Sequence, residues 1–474
     1  MKYLLKIMDC IMSEQQNKLE ILKNGAAEEK IEILYSLSGT DLNDECVKAI
    51  AQLVQDEDKG VRNAASMQMI NFALPQFAFY VVPFVTSPDI SVRNLAGEIL
   101  IKLGSNSVDA IIQFEHQDDD DTLKFLIDIL GLIGDQRSSL FVMGILSVSE
   151  NDNVILACIE ALGNLRYESS VDVLMLFYGR NELYKPTTVE ALGKIGSRTA
   201  LNFLITKFPV EDELTQYSIL ESLGNLGDIE TYFFLLEQVN TVSGPLILPL
   251  ITSIALLKDR YNLDIPYDNR MKSLLMYTIS EGTLEHKKIA FNMIETFEDK
   301  DILFTSLHLL GEDYELDEMI KSKLFGTCEY IYSEISRVIN SKPKNLRHVL
   351  NMFQQIISYV NEYQIQIEVP MLELRGITQS ISGLLNHSDE EVRRASMEIL
   401  FTLDLETALM FVDSMVVDEN MWNRIRLVEL LEQYPIESIE APLQKLTKDE
   451  DEMVSDRAAF VYNYKTNNVS TNTN

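Results

Sequence analysis

Apolar side chains recur along this chain with the period of an α-helix. In "DISVRNLAGEILIKLG" (89–104) they stand three and four residues apart, so that Val92 and Ala96 lie on one helix face. Asp89 comes directly before this pattern, and aspartate readily accepts hydrogen bonds from the free N–H groups of a first helical turn. The pattern predicts a helix that begins after Asp89. Alternation typical of strands is almost absent from the sequence.

The predicted capping residue returns at a nearly constant spacing. Asp or Asn precedes each helical pattern, and its position number increases in steps of 31, 30, 32, 30 and 31, with a step of 31 again towards the C-terminal end. These residues are Asp58, Asp89, Asp119, Asn151, Asn181 and Asp212 in the first series, and Asp389 and Asn420 in the second. A fixed period of this length indicates a repeat architecture.

Each repeat is interpreted as a helical hairpin. The phrase "EALGKIG" and its relatives place a glycine at one fixed distance after the cap, at Gly131, Gly163, Gly193 and Gly224. We expect a first helix of about 14 residues, a glycine-containing turn and a second helix of about 10 residues. The predicted fold is all-α, an α-α superhelix or α-solenoid of about a dozen helix pairs.

The strength of the repeat pattern suggests boundaries along the chain. The predicted parts are an N-terminal segment at 1–27, about seven repeats at 28–241, irregular helical repeats at 242–387, repeats with a closing helix at 388–465 and a disordered tail at 466–474. Between 242 and 387 the spacing of the repeat motif becomes irregular. We therefore expect this segment to be adapted to binding a particular partner.

The motifs resemble a known repeat family. D-x-x-V-R-x-x-A with a trailing L-G-x-x-G, at a period of 30–32, is similar to HEAT repeats, most of all to the short bacterial repeats of phycobilisome lyases. This resemblance covers about two thirds of the chain and implies a fold more than an activity. It also implies a structural ladder of Asp and Arg residues between repeats. The ladder arginines are Arg62, Arg93, Arg393, Arg424 and Arg457, whereas Leu123, Ile155, Lys185 and Gln216 replace arginine in the middle repeats and are expected to interrupt the ladder.

The charge balance narrows the classes of partner. The 474 residues carry 40 Lys and Arg against 73 Asp and Glu, a formal net charge of −33. Such a surface repels nucleic acid phosphates and anionic membranes. The longest apolar run, 244–257, is shorter than the roughly 20 residues that span a membrane. We expect no nucleic acid partner and no membrane span, and the four scattered cysteines are typical of a cytoplasmic protein.

The sequence lacks recognisable catalytic motifs. None of the five histidines is followed by glutamate, which excludes the His-Glu pairs of di-iron HEAT-repeat hydroxylases. Phosphate-binding, dinucleotide and nucleophile-elbow motifs are absent as well. We predict no catalytic residue, cofactor or metal, and identify no small-molecule substrate. The single tryptophan, Trp422, is either a partner contact or a side chain packed between the last two repeats.

A long acidic solenoid without a catalytic constellation favours a non-enzymatic scaffold or adaptor that binds another protein. We expect the second helices to form the inner row and to present an acidic groove. The partner is predicted to offer a basic or amphipathic helical segment. The resemblance to phycobilisome lyases leaves one alternative, a bilin lyase-like or chaperone-like maturation factor.

Overall fold

A computed structural model describes residues 15–39, 42–115 and 119–471 of the chain. These residues form α-helices and short 3-10 turns, and no strand occurs among them. The chain divides into two compact units, with the boundary between Leu263 and Asp264. Residues 1–14, in the predicted N-terminal segment, and residues 472–474, in the predicted tail, lie outside the described residues.

The first unit consists of helical hairpins that follow a helical segment at 15–24. Its helices are α1 (Ala27–Ser36), α2 (Asp44–Gln52), α3 (Lys59–Phe72), α4 (Pro75–Val81), α5 (Ile90–Leu103), α6 (Val108–Ile112), α7 (Asp120–Ile133), α8 (Ser139–Val148), α9 (Asp152–Asn164), α10 (Val171–Tyr178), α11 (Lys185–Ile195), α12 (Arg198–Lys207), α13 (Glu213–Leu226), α14 (Ile229–Gln238) and α15 (Ile247–Tyr261). From α3 onward, a first helix that begins after a cap alternates with a second helix. The second helices include α8, α10, α12 and α14.

The second unit also consists of consecutive helices. They are α16 (Asn269–Glu281), α17 (Leu284–Met293), α18 (Lys300–Leu307), α19 (Tyr314–Gly326), α20 (Glu329–Asn340), α21 (Leu346–Glu362), α22 (Met371–Ser382), α23 (Glu390–Leu403), α24 (Leu405–Met410), α25 (Val412–Met415), α26 (Met421–Leu431), α27 (Ile436–Leu446) and α28 (Glu452–Thr471). The predicted all-α solenoid is confirmed. The predicted part boundaries were drawn from repeat register and stay predictions, although α28 extends into the segment 466–474.

Side-chain caps start the first helices. Each recurring Asp or Asn accepts a hydrogen bond from a backbone N–H two or three residues later, at 2.8–3.1 Å. The acceptors are Asp58, Asp89, Asp119, Asn151, Asn181, Asp212, Asp389 and Asn420. Asp268 and Asp299 cap α16 and α18 in the same way, and they too are separated by one repeat length. The repeat spacing therefore extends into the segment that the sequence pattern describes as irregular.

The first glycine of the repeated phrase lies inside the first helix, not in the turn. Gly131 is part of α7 and Gly163 is part of α9. The turn is made by the second glycine where one is present, since Gly134 and Gly196 end their helices with positive φ of 74° and 65°. The glycine-containing turn is therefore made by the second glycine of the phrase, and the first glycine has another role. It packs against the neighbouring repeat.

The helices of the first unit stand in two rows with different spacing. The first helices contact one another extensively from α7 through α9, α11, α13 and α15, whereas neighbouring second helices make few contacts. Small residues allow this approach, and the hydroxyls of Ser222 and Ser253 donate to carbonyls of the preceding first helix at 3.3 and 2.7 Å. The closely packed row is thus formed by the first helices. The expectation that the second helices form the inner row stays a prediction.

Candidate protein-binding faces

Two buried ion pairs join repeats in the second unit. Arg393 donates to Asp418 and Arg424 donates to Asp449, each through two nitrogens at 2.8 and 2.9 Å. The side chains of Arg424 and Asp449 are only 8% and 7% exposed. Each acid lies two residues before the next capping residue, so the acid of the ladder is not the cap itself. This bidentate geometry is strong and directional, and it fixes one repeat against the next.

The ladder arginines also bind backbone carbonyls of the turn before their own helix. Arg62 donates to the Asp56 carbonyl at 2.7 Å, and Arg393 donates to the His387 carbonyl at 2.8 Å. Arg93 influences Asp119 through its charge. The pKa of Asp119 is lowered mainly by the Thr122 hydroxyl, which donates a hydrogen bond to it at 2.6 Å, and the charge of Arg93 lowers this pKa further.

Lysines supply further contacts of this kind that the arginine motif does not reveal. Each pairs with an acid that follows it by slightly less than one repeat length. The pairs, with nitrogen–oxygen distances of 2.6–2.8 Å, are Lys30–Asp56, Lys185–Glu211, Lys272–Asp299 and Lys287–Glu312. At Lys185 the ladder continues where the missing arginine predicted an interruption. The shared cation-to-acid spacing is the sequence signal by which these pairs could have been found.

Arg457 and Trp422 differ from the other predicted site residues. Arg457 lies six residues after Asp451, which accepts from the Met453 N–H, and it donates back to Glu432 at 2.5 Å. It therefore lies two residues beyond the ladder position. The side chain of Trp422 is 56% exposed. This exposure does not fit a tryptophan packed between repeats, and its role as a partner contact stays a prediction.

A line of carboxylates runs across the first helices of the first unit. One acidic residue per repeat stands nine residues after the cap, on the solvent side of its helix. These residues are Glu98, Asp128, Glu160, Glu190 and Glu221, and we call them the acidic ridge. All are exposed except Asp128, which is partly exposed. Counting from the caps would have shown this series in the sequence, but only the structure shows that it faces solvent.

The acidic ridge keeps most of its negative charge. Lys124 lies 2.6 Å from Asp128 and Lys194 lies 2.6 Å from Glu190, and both pairs are on the surface. Exposed pairs of this kind are weak and are screened by salt, so a stronger cationic partner can displace them. Near the end of the ridge, burial and then the charge of Glu221 raise the pKa of Tyr217. The ridge therefore presents a negative potential to solvent.

The corresponding carboxylates of the second unit pair with one arginine. Glu398 and Glu429 stand nine residues after Asp389 and Asn420. Both pair with Arg426, at 2.5 and 2.7 Å, and Glu398 also accepts from Gln354. The same repeat position thus carries one carboxylate per repeat along the first unit, whereas in the second unit its two carboxylates share one arginine.

The second helices present a different surface. Helices α8 and α10 read "SLFVMGILSV" and "VDVLMLFY", and Asp172 is their only charged residue. Leu140, Val148 and Leu176 are 73%, 79% and 74% exposed. Met143, Val173 and Met175 of the same two helices are partly exposed.

The described part of the chain holds no group of three or more His, Cys, Asp or Glu side chains that could bind a metal ion. Within the same residues, no helix is both long enough and apolar enough to cross a bilayer. The absence of a cofactor and of an enzymatic activity stays a prediction.

The similarity of this chain to known proteins lies in its fold. No protein-family model matches the chain, and no curated protein matches it. Solved structures of HEAT-repeat proteins are similar to it. Importin beta is 10% identical, with 93% of this chain and 71% of that chain covered and a TM-score of 0.40. Kap121p is 12% identical over 94% of this chain and 60% of its own length, with a TM-score of 0.37.

The CpcE–CpcF complex of phycocyanin lyase from Nostoc sp. PCC7120 is 13% identical, covers 55% of this chain and 97% of its own, and has a TM-score of 0.29. The regular series of capped helical hairpins decides the fold. The fold is an α-solenoid of helical hairpins. At these identities and scores, the similarity of the chain to importin beta or to the lyase carries no argument about its function. The lyase-like or chaperone-like alternative therefore stays a prediction.

Proposed function

We propose that the protein is a non-enzymatic scaffold or adaptor whose acidic ridge binds a basic segment of a protein partner. The observation that carries this proposal is the solvent-exposed series of carboxylates, one in each of five consecutive repeats. Residues that only stabilise the stack of repeats form their ion pairs within the fold, as Arg393 and Arg424 do. The ridge carboxylates face outward and have at most weak surface pairs.

The spacing of the ridge suits an elongated ligand. Packed helices lie about 8–10 Å apart, so five successive first helices place their carboxylates along roughly 30–40 Å. A partner segment with several Lys or Arg residues can contact all five at once. The net charge of −33 adds long-range attraction, which raises the association rate with a cationic partner.

Neutralising the ridge tests the proposal. The variant carries E98Q, D128N, E160Q, E190Q and E221Q, and its control carries Gln at five exposed glutamates elsewhere in the first unit, Glu45, Glu57, Glu150, Glu168 and Glu237. Both lose five negative charges, so a difference between them reports the position of the charge. Partners are captured from an extract of the source cells at low and at high salt and identified by mass spectrometry.

We expect a protein with a Lys- or Arg-rich segment to be captured by wild type and control, to be lost from the ridge variant and to dissociate at high salt. Equal capture by the ridge variant, or binding indifferent to salt, contradicts the proposal. Circular dichroism of both variants shows whether the helices remain intact, since all ten substitutions are at residues outside the core.

A further inference from the structure

One segment of the second unit has the sequence pattern of a strand. Residues 365–369, "IQIEV", lie between α21 and α22 and belong to neither a helix nor a turn. The three apolar residues of this segment are partly exposed, and the two polar residues between them are exposed. Such alternation, with β-branched residues at every second position, is typical of an extended backbone. Pro370 also favours that conformation at Val369, the residue before it.

The backbone of this segment has groups available for another chain. Among the described residues, the N–H and carbonyl groups of 366–369 have no backbone hydrogen-bond partner, whereas the N–H of Ile365 donates to the Val360 carbonyl at 3.0 Å. In a β-ladder, every second residue exchanges both of its backbone hydrogen bonds with the same neighbouring strand. One edge of the segment can therefore pair two of its residues with an added strand.

A cavity of about 420 Å³ lies beside the segment. All five residues 365–369 line this cavity, and because their side chains alternate in direction, the backbone that joins them borders it as well. The other residues that line it are Glu329 and Tyr332 of α20 and Glu373 of α22. The volume lies within the range of ligand-binding pockets, about 300–1,000 Å³.

Tyr332 brings an unpaired hydroxyl group to this cavity. Tyr332 is only 6% exposed, and its ring packs against that of Phe353 with the ring centroids 5.4 Å apart. Its hydroxyl has no hydrogen-bond partner within the described part of the chain, although buried tyrosines usually have one. A ligand in the cavity can supply the missing partner.

The charged residues that line the cavity are all acidic. They are Glu329, Glu368 and Glu373, and none of them has an ion-pair partner among the residues that the structure describes. Because no group of three such side chains in the same residues could hold a metal ion, the three carboxylates suit separate cations better than one ion. A ligand with several spaced positive charges is complementary to this cavity.

We propose that this cavity binds an extended segment of a partner protein as an added β-strand with Lys or Arg at every second position. The backbone of the partner pairs with residues 366–369, its cations approach the three carboxylates, and the Tyr332 hydroxyl binds one of its polar groups. This inference goes beyond the proposed function, because it concerns a site in the other unit and recognition through the backbone. A second copy would bring the same acidic residues and a net charge of −33 to the cavity, which disfavours it as the occupant.

The probe is a synthetic peptide of about eight residues in which lysine alternates with valine or threonine. Fluorescence anisotropy measures its binding to the full chain. Two derivatives carry N-methyl groups on alternate residues, one derivative for each edge of the peptide. Since an added strand donates N–H groups from one edge only, we expect one derivative to bind at least about tenfold more weakly and the other to bind like the unmodified peptide.

Neutralising the cavity has a control with the same change in charge. E329Q/E368Q/E373Q removes the three carboxylates, and E281Q/E406Q/E437Q removes three exposed ones elsewhere in the second unit. We expect the first variant to bind the peptide at least about tenfold more weakly and the second to bind it like wild type. A photoreactive group on the peptide should label residues 365–373.

Tyr332→Phe tests the hydroxyl separately. Because this hydroxyl has no partner in the free chain, the variant should unfold at the same urea concentration as wild type and yet bind the peptide at least about twofold more weakly. Tyr330→Phe is the control on the same helix, since Tyr330 does not line the cavity, and it should leave binding unchanged.

Several results would overturn the inference. Equal binding of the two N-methylated peptides shows that no strand is added, and full binding by E329Q/E368Q/E373Q or by Tyr332→Phe removes the cavity as the site. A dimer in sedimentation that the peptide dissociates shows that a second copy is the occupant. If only the ridge-neutralised variant loses the peptide, the peptide binds the acidic ridge, which contradicts this inference and supports the proposed function. If that variant binds the peptide normally and still captures every partner of the wild type, the proposed function fails while this inference stands.

Discussion

Gly163 of one repeat and Ala191 of the next are in contact through their backbones. A β-carbon added to Gly163 would lie 2.6 Å from Cα of Ala191, closer than real β-carbons approach another heavy atom. The same relation joins Gly131 to Ala161, one repeat earlier. The repeated L-G phrase thus marks the place where one first helix touches the next, and it sets the spacing of the row that carries the acidic ridge.

Gly163→Ala should destabilise the first unit. The extra methyl group must displace the backbone of α11, which costs about 1–3 kcal/mol, against a gain of about 1 kcal/mol from alanine's higher helix propensity. The measurement is the free energy of unfolding in urea, followed by circular dichroism. Gly144→Ala is the control, since no atom lies within 4 Å of its added β-carbon, and it should leave stability unchanged or raise it. Equal stability of the two variants would show that the close approach is absent.

Arg424→Met should destabilise the second unit strongly. It leaves Asp449 as an unpaired carboxylate in a buried site, which typically costs about 3–5 kcal/mol. Lys445→Met removes a pair with Asp413 whose side chains are 55% and 76% exposed, and should cost less than about 1 kcal/mol. Urea unfolding of both variants gives the comparison. Similar losses in the two would refute the structural role assigned to the buried pair.

The Arg393–Asp418 pair should make stability fall in acid. Burial raises the pKa of Asp418, but hydrogen bonds from Arg393 and the Asn420 backbone outweigh it, and the resulting pKa lies below its ordinary value. A carboxyl with a lowered folded pKa stabilises the protein above its unfolded pKa of about 3.9, and this stability is lost as pH falls through the folded pKa.

We therefore expect the midpoint temperature of thermal unfolding, measured from pH 6 downwards, to decrease once the pH is below about 4. Asp418→Asn should lower the midpoint near neutral pH and make the acid slope shallower. Asp413→Asn, at an exposed carboxylate, should retain the slope of the wild type. An unchanged slope in Asp418→Asn would exclude this pair as a source of the pH dependence.

Cys158 should react with thiol reagents only after the first unit unfolds. Burial raises the pKa of its thiol to about 12, and its side chain is inaccessible in the folded chain. Pulse labelling with N-ethylmaleimide at pH 8, across a urea titration, should modify Cys158 only beyond the unfolding transition. Cys328 of the second unit is also buried and gives the matching signal for that unit. Labelling of Cys158 in the absence of urea, at the rate of the unfolded chain, would contradict its burial.

The capping residues show which features of the fold could be predicted directly from the sequence. Asp89 and Asn151 are local features, because a cap binds N–H groups two or three residues further along its own chain. The ladder acids Asp418 and Asp449 could not be assigned in this way, since each pairs with a residue 25 positions earlier. A motif centred on arginine also missed Lys30 and Lys272, which make equivalent pairs with a different cation.

The sequence by itself determined where helices begin, that they pair, and that the pairs repeat, because capping and helical periodicity act over a few residues. Only the tertiary structure decided which row of helices packs closely and which charges remain available to a partner. Glu160 and Glu398 occupy the same position within the repeat, nine residues after the cap. Glu160 nevertheless faces solvent, whereas Glu398 forms an ion pair with Arg426. The physical reason is that exposure and pairing depend on neighbours from other repeats, which a local pattern does not contain.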